Sequence, residues 1–305
     1  VADIMTNGNQ VIGMIDDESK SHQRQIVKSF VEIIKPRIST MVLLTVWAGS
    51  VASGWAFGNL AWLHAMVGTL LVAASGSAMN QYLERYSDFF MPRTSKRPLP
   101  AGRLTATEVA VFAAVTLGIG MAYLFATVHW VSAMWCLSTW VMYVFVYTLS
   151  KPLTAWNTAV GAFPGAMPVL VGASAAEGTI GPLSWILFSI LLLWQFPHFM
   201  AIAWKYRADY AEGGLKMVTV TDPTGRQAGW IAVGVSAALL LVALSAVFWL
   251  TYVAIYVVIS IVLGSVYFWR SLQFLQDRND QTARSLLLFS LLHLPVQMIA
   301  LIFCM

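Results

Sequence analysis

The sequence predicts an all-α, polytopic membrane protein of about nine transmembrane helices, and three observations carry that expectation. Only 10% of the residues are charged, against about 25% in an ordinary soluble domain. Hydrophobic residues make up 58%, and the mean hydropathy is +0.70. The apolar residues also gather in runs of about twenty, the length of helix that crosses a hydrocarbon core. Lipid offers no hydrogen-bond partners, so a spanning segment is a helix or a barrel strand. Continuous rather than alternating runs select helices.

From the N-terminus, residues 1–34 are expected to form a cytoplasmic tail, with Asn7-Gly8-Asn9 and Asp16-Asp17-Glu18, that passes into a short surface helix from about Ser21 to Ile34. Residues 35–305 then form the membrane domain. Its spans are expected at roughly 38–57, 60–83, 107–126, 130–150, 155–175, 182–204, 228–248, 251–270 and 285–304. The first begins after about 37 residues, too late for an ordinary signal peptide. Cys136 and Cys304 fall inside spans with no CxxC pattern, which suits small core residues.

Charge tests the topology. With the N-terminus in the cytoplasm, the inner loops are 1–37, 84–106, 151–154, 205–227 and 271–284, and all 18 Lys and Arg residues lie on or beside them. Basic residues on short loops favour the cytoplasmic side, which places the C-terminus on the outer side. The pI near 9.1 therefore reflects loop charge and makes no case for nucleic acid. Every acid except Glu177 also lies on the inner side, so polar chemistry belongs at that face. The lack of an Arg- and Ser-rich transit peptide points to a bacterial inner (plasma) membrane rather than an organelle.

Two loops carry the chemistry. In the first, Asn80, Glu84 and Asp88 stand at i, i+4 and i+8, one column on a helix. Two acids with an amide suit a hard cation such as Mg²⁺. Pro92 disfavours further helix, and Arg93, Lys96, Arg97 and Arg103 follow at once. Metal ligands beside Arg and Lys are what a diphosphate leaving group needs. The alternative is a basic juxtamembrane loop with a helix-end acid pair, which leaves the repulsion between Glu84 and Asp88 unexplained.

The second loop follows Trp194-Gln195-Phe196-Pro197-His198-Phe199. Its Asp209 and Glu212 are candidates for a second metal, with Lys205, Arg207 and Lys216 as phosphate partners. Gln195 and His198 are polar groups inside a span, where polarity is costly. His198 has two readings, a hydrogen-bonded packing residue or a contact to an iron or carboxylate of a substrate. His293, deep in the last span, is read as a helix–helix hydrogen bond in preference to a haem contact. Lys151, on a very short inner loop, either reaches the same diphosphate or serves only topology.

These segments together resemble the UbiA superfamily of intramembrane prenyltransferases and, within it, the branch that farnesylates haem B. The first loop is similar to N-x-x-x-E/D-R-x-x-D-x-x-M-x-R-T-x-x-R-P-L-P-x-G at Asn80, Glu84, Arg85, Asp88, Met91, Arg93, Thr94, Arg97, Pro98, Leu99, Pro100 and Gly102. The Trp194 to Phe199 stretch, Asp209-Tyr210 and Gly213-Gly214 resemble that branch, as do Tyr147-Thr148, Lys151, Asn157 and Gly161 to Pro168. The resemblance covers roughly residues 35–305. It departs at Lys205, where relatives carry the first Asp of a second D-x-x-x-D, and at Tyr86, where an acid often stands.

The resemblance implies helices around a central cavity open to the cytoplasmic side. It implies transfer of a farnesyl group from farnesyl diphosphate to the 2-vinyl group of haem B, with water adding and diphosphate leaving. Asn80, Glu84, Asp88, Lys151 and Asp209 would be catalytic, and Asn80, Glu84, Asp88, Asp209 and Glu212 would hold Mg²⁺. Arg93, Lys96, Arg97, Lys151, Lys205 and Arg207 would meet the diphosphate, with His198 and Gln195 on the haem side. Partners would be the lipid bilayer and a haem A synthase or oxidase assembly. Rival readings are a related enzyme with another acceptor, such as 4-hydroxybenzoate or a chlorin, an ion-coupled transporter, and a non-catalytic subunit that binds anionic lipid. The one-sided charge and the acids aligned before the basic stretch speak against the last two.

Overall fold

Each apolar run closes its backbone hydrogen bonds within itself, and every regular element among the described residues is helical, as lipid demands. A computed structural model describes residues 23–54 and 59–305. The expected tail, with its Asn-Gly-Asn and acidic runs, lies outside the described residues. The elements are α1 (23–34), α2 (Pro36–Ala52), α3 (Ala61–Phe90), α4 (Ala106–Thr127), α5 (Trp130–Ser150), α6 (Asn157–Ala166), α7 (Pro168–Ala173), α8 (Pro182–Lys205), α9 (Arg207–Glu212), α10 (Val218–Thr221), α11 (Arg226–Ser245), α12 (Val253–Gln276) and α13 (Asp280–Cys304).

Among the described residues, seven helices are long and apolar enough to cross a bilayer: α3, α4, α5, α8, α11, α12 and α13. The chain is thus a multi-pass membrane protein, but two of the nine expected spans differ from the reading. The first is α2, a helix of 17 residues that stops at Ala52. The fifth is divided into α6 and α7, because Pro168 cannot continue the hydrogen-bond ladder of α6 and starts a new helix instead. Local chemistry marks other boundaries. Thr105 and Glu108 form a capping box that starts α4, and the Asn279 side chain accepts from the Gln281 and Thr282 amides to start α13.

α3 packs along α4, α2 along α7, and α8 lies against both α11 and α13, with α12 closing on those two. Lipid gives helices no hydrophobic reason to associate, so close backbone approach through small residues matters. A Cβ on Gly172 would fall 1.8 Å from the Val46 carbonyl oxygen, and one on Gly49 would fall 2.0 Å from that of Val169. Ser50 uses the same closeness to donate to the Gly172 carbonyl at 3.0 Å. Ile255, Val258 and Val262 leave an exposed apolar stripe on α12, the face a bilayer covers.

The alternation of helix direction sorts the loops to two ends. At one, the Lys216 amide donates to the Lys151 carbonyl (2.8 Å) and Arg278 Nε to the Thr224 carbonyl (2.8 Å). At the other, the Thr251 amide donates to Cys304 (2.8 Å) and the His129 amide to Ala175 (2.9 Å). The first end gathers the Asn80, Lys151 and Asp209 segments.

Candidate active site

α3 runs unbroken to Phe90, so Asn80, Glu84 and Asp88 share one face, and all three are buried (2%, 8% and 0% exposed). Buried carboxylates demand partners; Arg97 and Lys151 supply them, and Lys35 joins from a third segment at Asn80. Arg97 Nη1 lies 2.6 Å from Asp88 Oδ2 and 3.9 Å from Glu84 Oε2. Lys151 Nζ lies 2.5 Å from Glu84 Oε1. Lys35 Nζ donates to Asn80 Oδ1 at 3.3 Å, while Asn80 Nδ2 donates to Thr148 Oγ1 at 3.1 Å.

Local structure explains how each cation arrives. After Pro92 the chain turns back, with Thr94 Oγ1 donating to the Asp88 carbonyl at 3.0 Å, and this brings Arg97 over the column. α5 contains a π-helical turn over Met142–Tyr147, which rotates Thr148 and Lys151 toward α3. The Lys151 ammonium also sits 4.5 Å from the Tyr147 ring centre. That ring lies so near α6 that a Cβ on Gly161 would fall 2.5 Å from it. Burial alone would lower the Lys151 pKa, but Glu84, with Tyr147 and Tyr143, outweighs it and holds the group above the ordinary lysine range.

Lys35 was not among the expected site residues. Ile34-Lys35-Pro36-Arg37 reads as topology charge before a span, and nothing local signals more. In the structure Lys35 takes a left-handed conformation, φ 53° and ψ 66°, directly before a proline, a strained place for a residue with a side chain. That turn joins α1 to α2 and drops the ammonium onto Asn80. α1 is clamped in turn by Arg103, which pairs with Glu32 at 2.8 Å and donates to Ser29 at 3.3 Å. Burial, then the nearby Arg97 guanidinium, push the half-buried Lys35 ammonium down to about 7.

The second loop closes on the first. Arg93 stands over the rings of Tyr206 (4.9 Å) and Tyr210 (5.8 Å). Asn157 Nδ2 donates to the carbonyls of Thr154 (2.7 Å) and Lys216 (3.0 Å), tying the Lys151 turn to the segment after α9. Burial raises the Tyr210 phenol, and Arg93 opposes the shift. Lys96 is exposed, its carbonyl accepting from Arg103, and Lys205 is exposed beside the Tyr206 ring. Arg207 turns away to Asp280 Oδ1 (3.1 Å) and the Trp204 carbonyl (2.7 Å). No hydrogen bond or ion pair joins Asp209 or Glu212 to the Asn80 column, and among the described residues no three His, Cys, Asp or Glu side chains gather as a metal cluster.

Gln195 and His198 are engaged in helix packing. Gln195 Nε2 donates to the Ala162 carbonyl at 2.9 Å, bracing α6 against α8. His198 Nδ1 is 2.7 Å from Ser290 Oγ, with its ring stacked on Trp194. The expected hydrogen bond of His293 is absent at Nδ1, and its ring instead packs 4.8 Å from Tyr267.

The column fits a hard divalent cation. Asp88 Oδ1 is buried with no hydrogen-bond partner, an uncommon state for a carboxylate oxygen. It stands on the same helix face as the Asn80 and Glu84 oxygens, and such an ion takes a few carboxylates and completes its shell with phosphate oxygens.

The model of the UbiA prenyltransferase family matches residues 41–293. The protoheme IX farnesyltransferase of Rhodopirellula baltica is 42% identical over 279 residues, covering 87% of this chain and 96% of that protein. Among solved structures, one of a digeranylgeranylglyceryl phosphate synthase superposes with a TM-score of 0.75 at 15% identity, over 92% of this chain and 98% of the other. A UbiA homologue from Archaeoglobus fulgidus bound to DMAPP and Mg²⁺ gives 0.63 at 13% identity, over 90% and 99%. With the matched model spanning most of its length and the helical architecture shared, the chain belongs to the UbiA prenyltransferase family.

Proposed function

We propose that this prenyltransferase moves a farnesyl group from farnesyl diphosphate to the 2-vinyl group of haem B, with water adding and diphosphate leaving, to give haem O. The observation that carries the reading is the ring of Lys35, Arg97 and Lys151 around a buried acid column that keeps one carboxylate oxygen unpartnered. Likeness to enzymes named protoheme IX farnesyltransferase supports the acceptor.

Asn80, Glu84 and Asp88 would hold Mg²⁺, which would supply positive charge to offset the negative charge that develops on the diphosphate leaving group. The chain's own cations take the rest of that charge. Lys151 and Arg97 already stand at the column, and Arg93, on the same loop as Arg97, reaches across to the rings of Tyr206 and Tyr210. Charged donors preorganised in a dry site favour the departing anion more than the bound substrate, so they act on rate. Tyr147 and Tyr210, which already neighbour Lys151 and Arg93, are the aromatic groups that would steady an allylic cation and exclude water until the vinyl carbon attacks. The helix ends and loop charge support an inner-membrane enzyme with its N-terminus and site in the cytoplasm.

Purified protein in nanodiscs, given haem B, farnesyl diphosphate and Mg²⁺, is expected to yield haem O by mass spectrometry. Prenylation of 4-hydroxybenzoate or a chlorin, with haem B untouched, would overturn the acceptor assignment.

A further inference from the structure

We propose that the groove between α6, α8 and α11 seats the acceptor, a planar tetrapyrrole whose apolar edge enters between two indoles while its two carboxylates meet Lys216 and Arg226. This rests on the haem reading above and adds the subsite.

The groove has a volume of about 210 Å³ and is lined by Trp156, Phe196, Met200, Trp230, Ile231 and Gly234 among others. Its walls are apolar, yet Trp156 and Trp230 are 69% and 57% exposed, so two flat aromatic surfaces stand open at one recess. Flat aromatic faces favour a flat conjugated partner in offset contact. Within Trp194 to Phe199, the indole of Trp194, the amide of Gln195 and the imidazole of His198 are all bound to neighbouring helices. Phe196 is the member of that group that lines the groove.

The rim supplies charge complementarity. Arg226 lies one helical turn before Trp230, on the same face of α11, and is exposed. Lys216 is exposed too, and its backbone is pinned to Lys151 and Asn157 only two residues before Val218, another wall residue. Neither side chain has a hydrogen-bond or ion-pair partner among the described residues. An apolar recess with two free cations at its charged end suits an amphiphile bearing carboxylates. The groove adjoins the segment that carries Lys151. Ala155, also in the wall, is four residues from Lys151, so the two Cα atoms are at most about 14 Å apart. Lys151 itself touches Glu84.

The test is Gly234→Leu. A Cβ at Gly234 meets nothing within 4 Å, and leucine suits a helix better than glycine, so the side chain fills the groove in a protein that still folds. KM for haem B is expected to rise about tenfold, the scale of a misfit in an apolar pocket, with KM for farnesyl diphosphate unchanged. Haem dimethyl ester, which lacks free carboxylates, is expected to show a higher KM than haem B in the native protein but not in Lys216→Gln/Arg226→Gln. Gly234→Leu with native KM for haem B would overturn the proposal. So would a rise confined to farnesyl diphosphate, which would assign the groove to the prenyl chain, or relief of the variant's defect by added phospholipid, which would assign it to lipid. A native protein that leaves haem B unprenylated would remove the haem reading and this one together, whereas an active native protein with an unaffected variant removes the groove alone.

Discussion

Replacing Asp88 by Asn removes one charge from the column while keeping its shape. The side chain is fully buried, Arg97 holds Oδ2 at 2.6 Å, and Oδ1 is free for a metal. Removing one partner of a buried pair costs about 3–5 kcal/mol when the other is left uncompensated. Here Arg97 is 22% exposed and keeps Glu84 at 3.9 Å, so the expected loss of stability is smaller, about 1–2 kcal/mol. The rate should suffer more. A preorganised electrostatic contact to a developing anion contributes about 10²–10³ in kcat, equivalent to about 3–4 kcal/mol. Asp88→Asn is therefore expected to insert and melt cooperatively a few degrees below the native protein, to retain KM, and to lose most of kcat. Diphosphate release in single turnover, beside a tryptophan-fluorescence melt in nanodiscs, checks both halves. A kcat within about threefold of native would refute the column as the site of leaving-group chemistry.

Three further outcomes are expected. Lys35 has a folded pKa of about 7 against 10.5 unfolded, so between those values the folded protein carries fewer protons, and stability attributable to this residue rises with pH from 7 to 10.5. A diphosphate bound at the proposed site is expected to recharge Lys35, so calorimetry at pH 8 in buffers of different ionisation enthalpy should show proton uptake that shrinks at pH 6 and is missing in Lys35→Met; equal uptake in the variant would contradict this. Gly172→Ala forces a methyl against the Val46 carbonyl and should cost more than the usual 1–3 kcal/mol (roughly) of overpacking, read as lost folded yield on size exclusion. Arg93→Gln should raise KM for farnesyl diphosphate, whereas Arg207→Gln should leave it unchanged and lower only thermal stability, because Arg207 is bound to Asp280 and Trp204; equal KM effects would place both on the substrate.

Most of the architecture is legible in the sequence. Apolar run length and the rule that lipid leaves no backbone group unpaired are local properties, so α3, α4, α5, α8, α11, α12 and α13 fall where the runs do. The division of the fifth span was less legible. Pro164 and Pro168 both stand in that run, but only Pro168 starts a new helix. The column was legible because Asn80, Glu84 and Asp88 are separated by whole turns of one helix. The ligand set proposed for Asp209 and Glu212 had no such support, since both stand on α9, a separate short helix whose place relative to α3 is set by packing and not by the periodicity of one helix.

By itself, then, the sequence determined a multi-pass helical membrane protein, with its charge at one end and one aligned acid face. Its local spacings are enough for that. Only the tertiary structure decided which cation meets which oxygen. Lys35 reaches Asn80 through a left-handed turn, Lys151 reaches Glu84 through a π-helical turn, and Arg207 leaves the site for Asp280. Such pairings join residues up to 73 positions apart, across helices whose approach depends on packing, and helical periodicity does not extend that far.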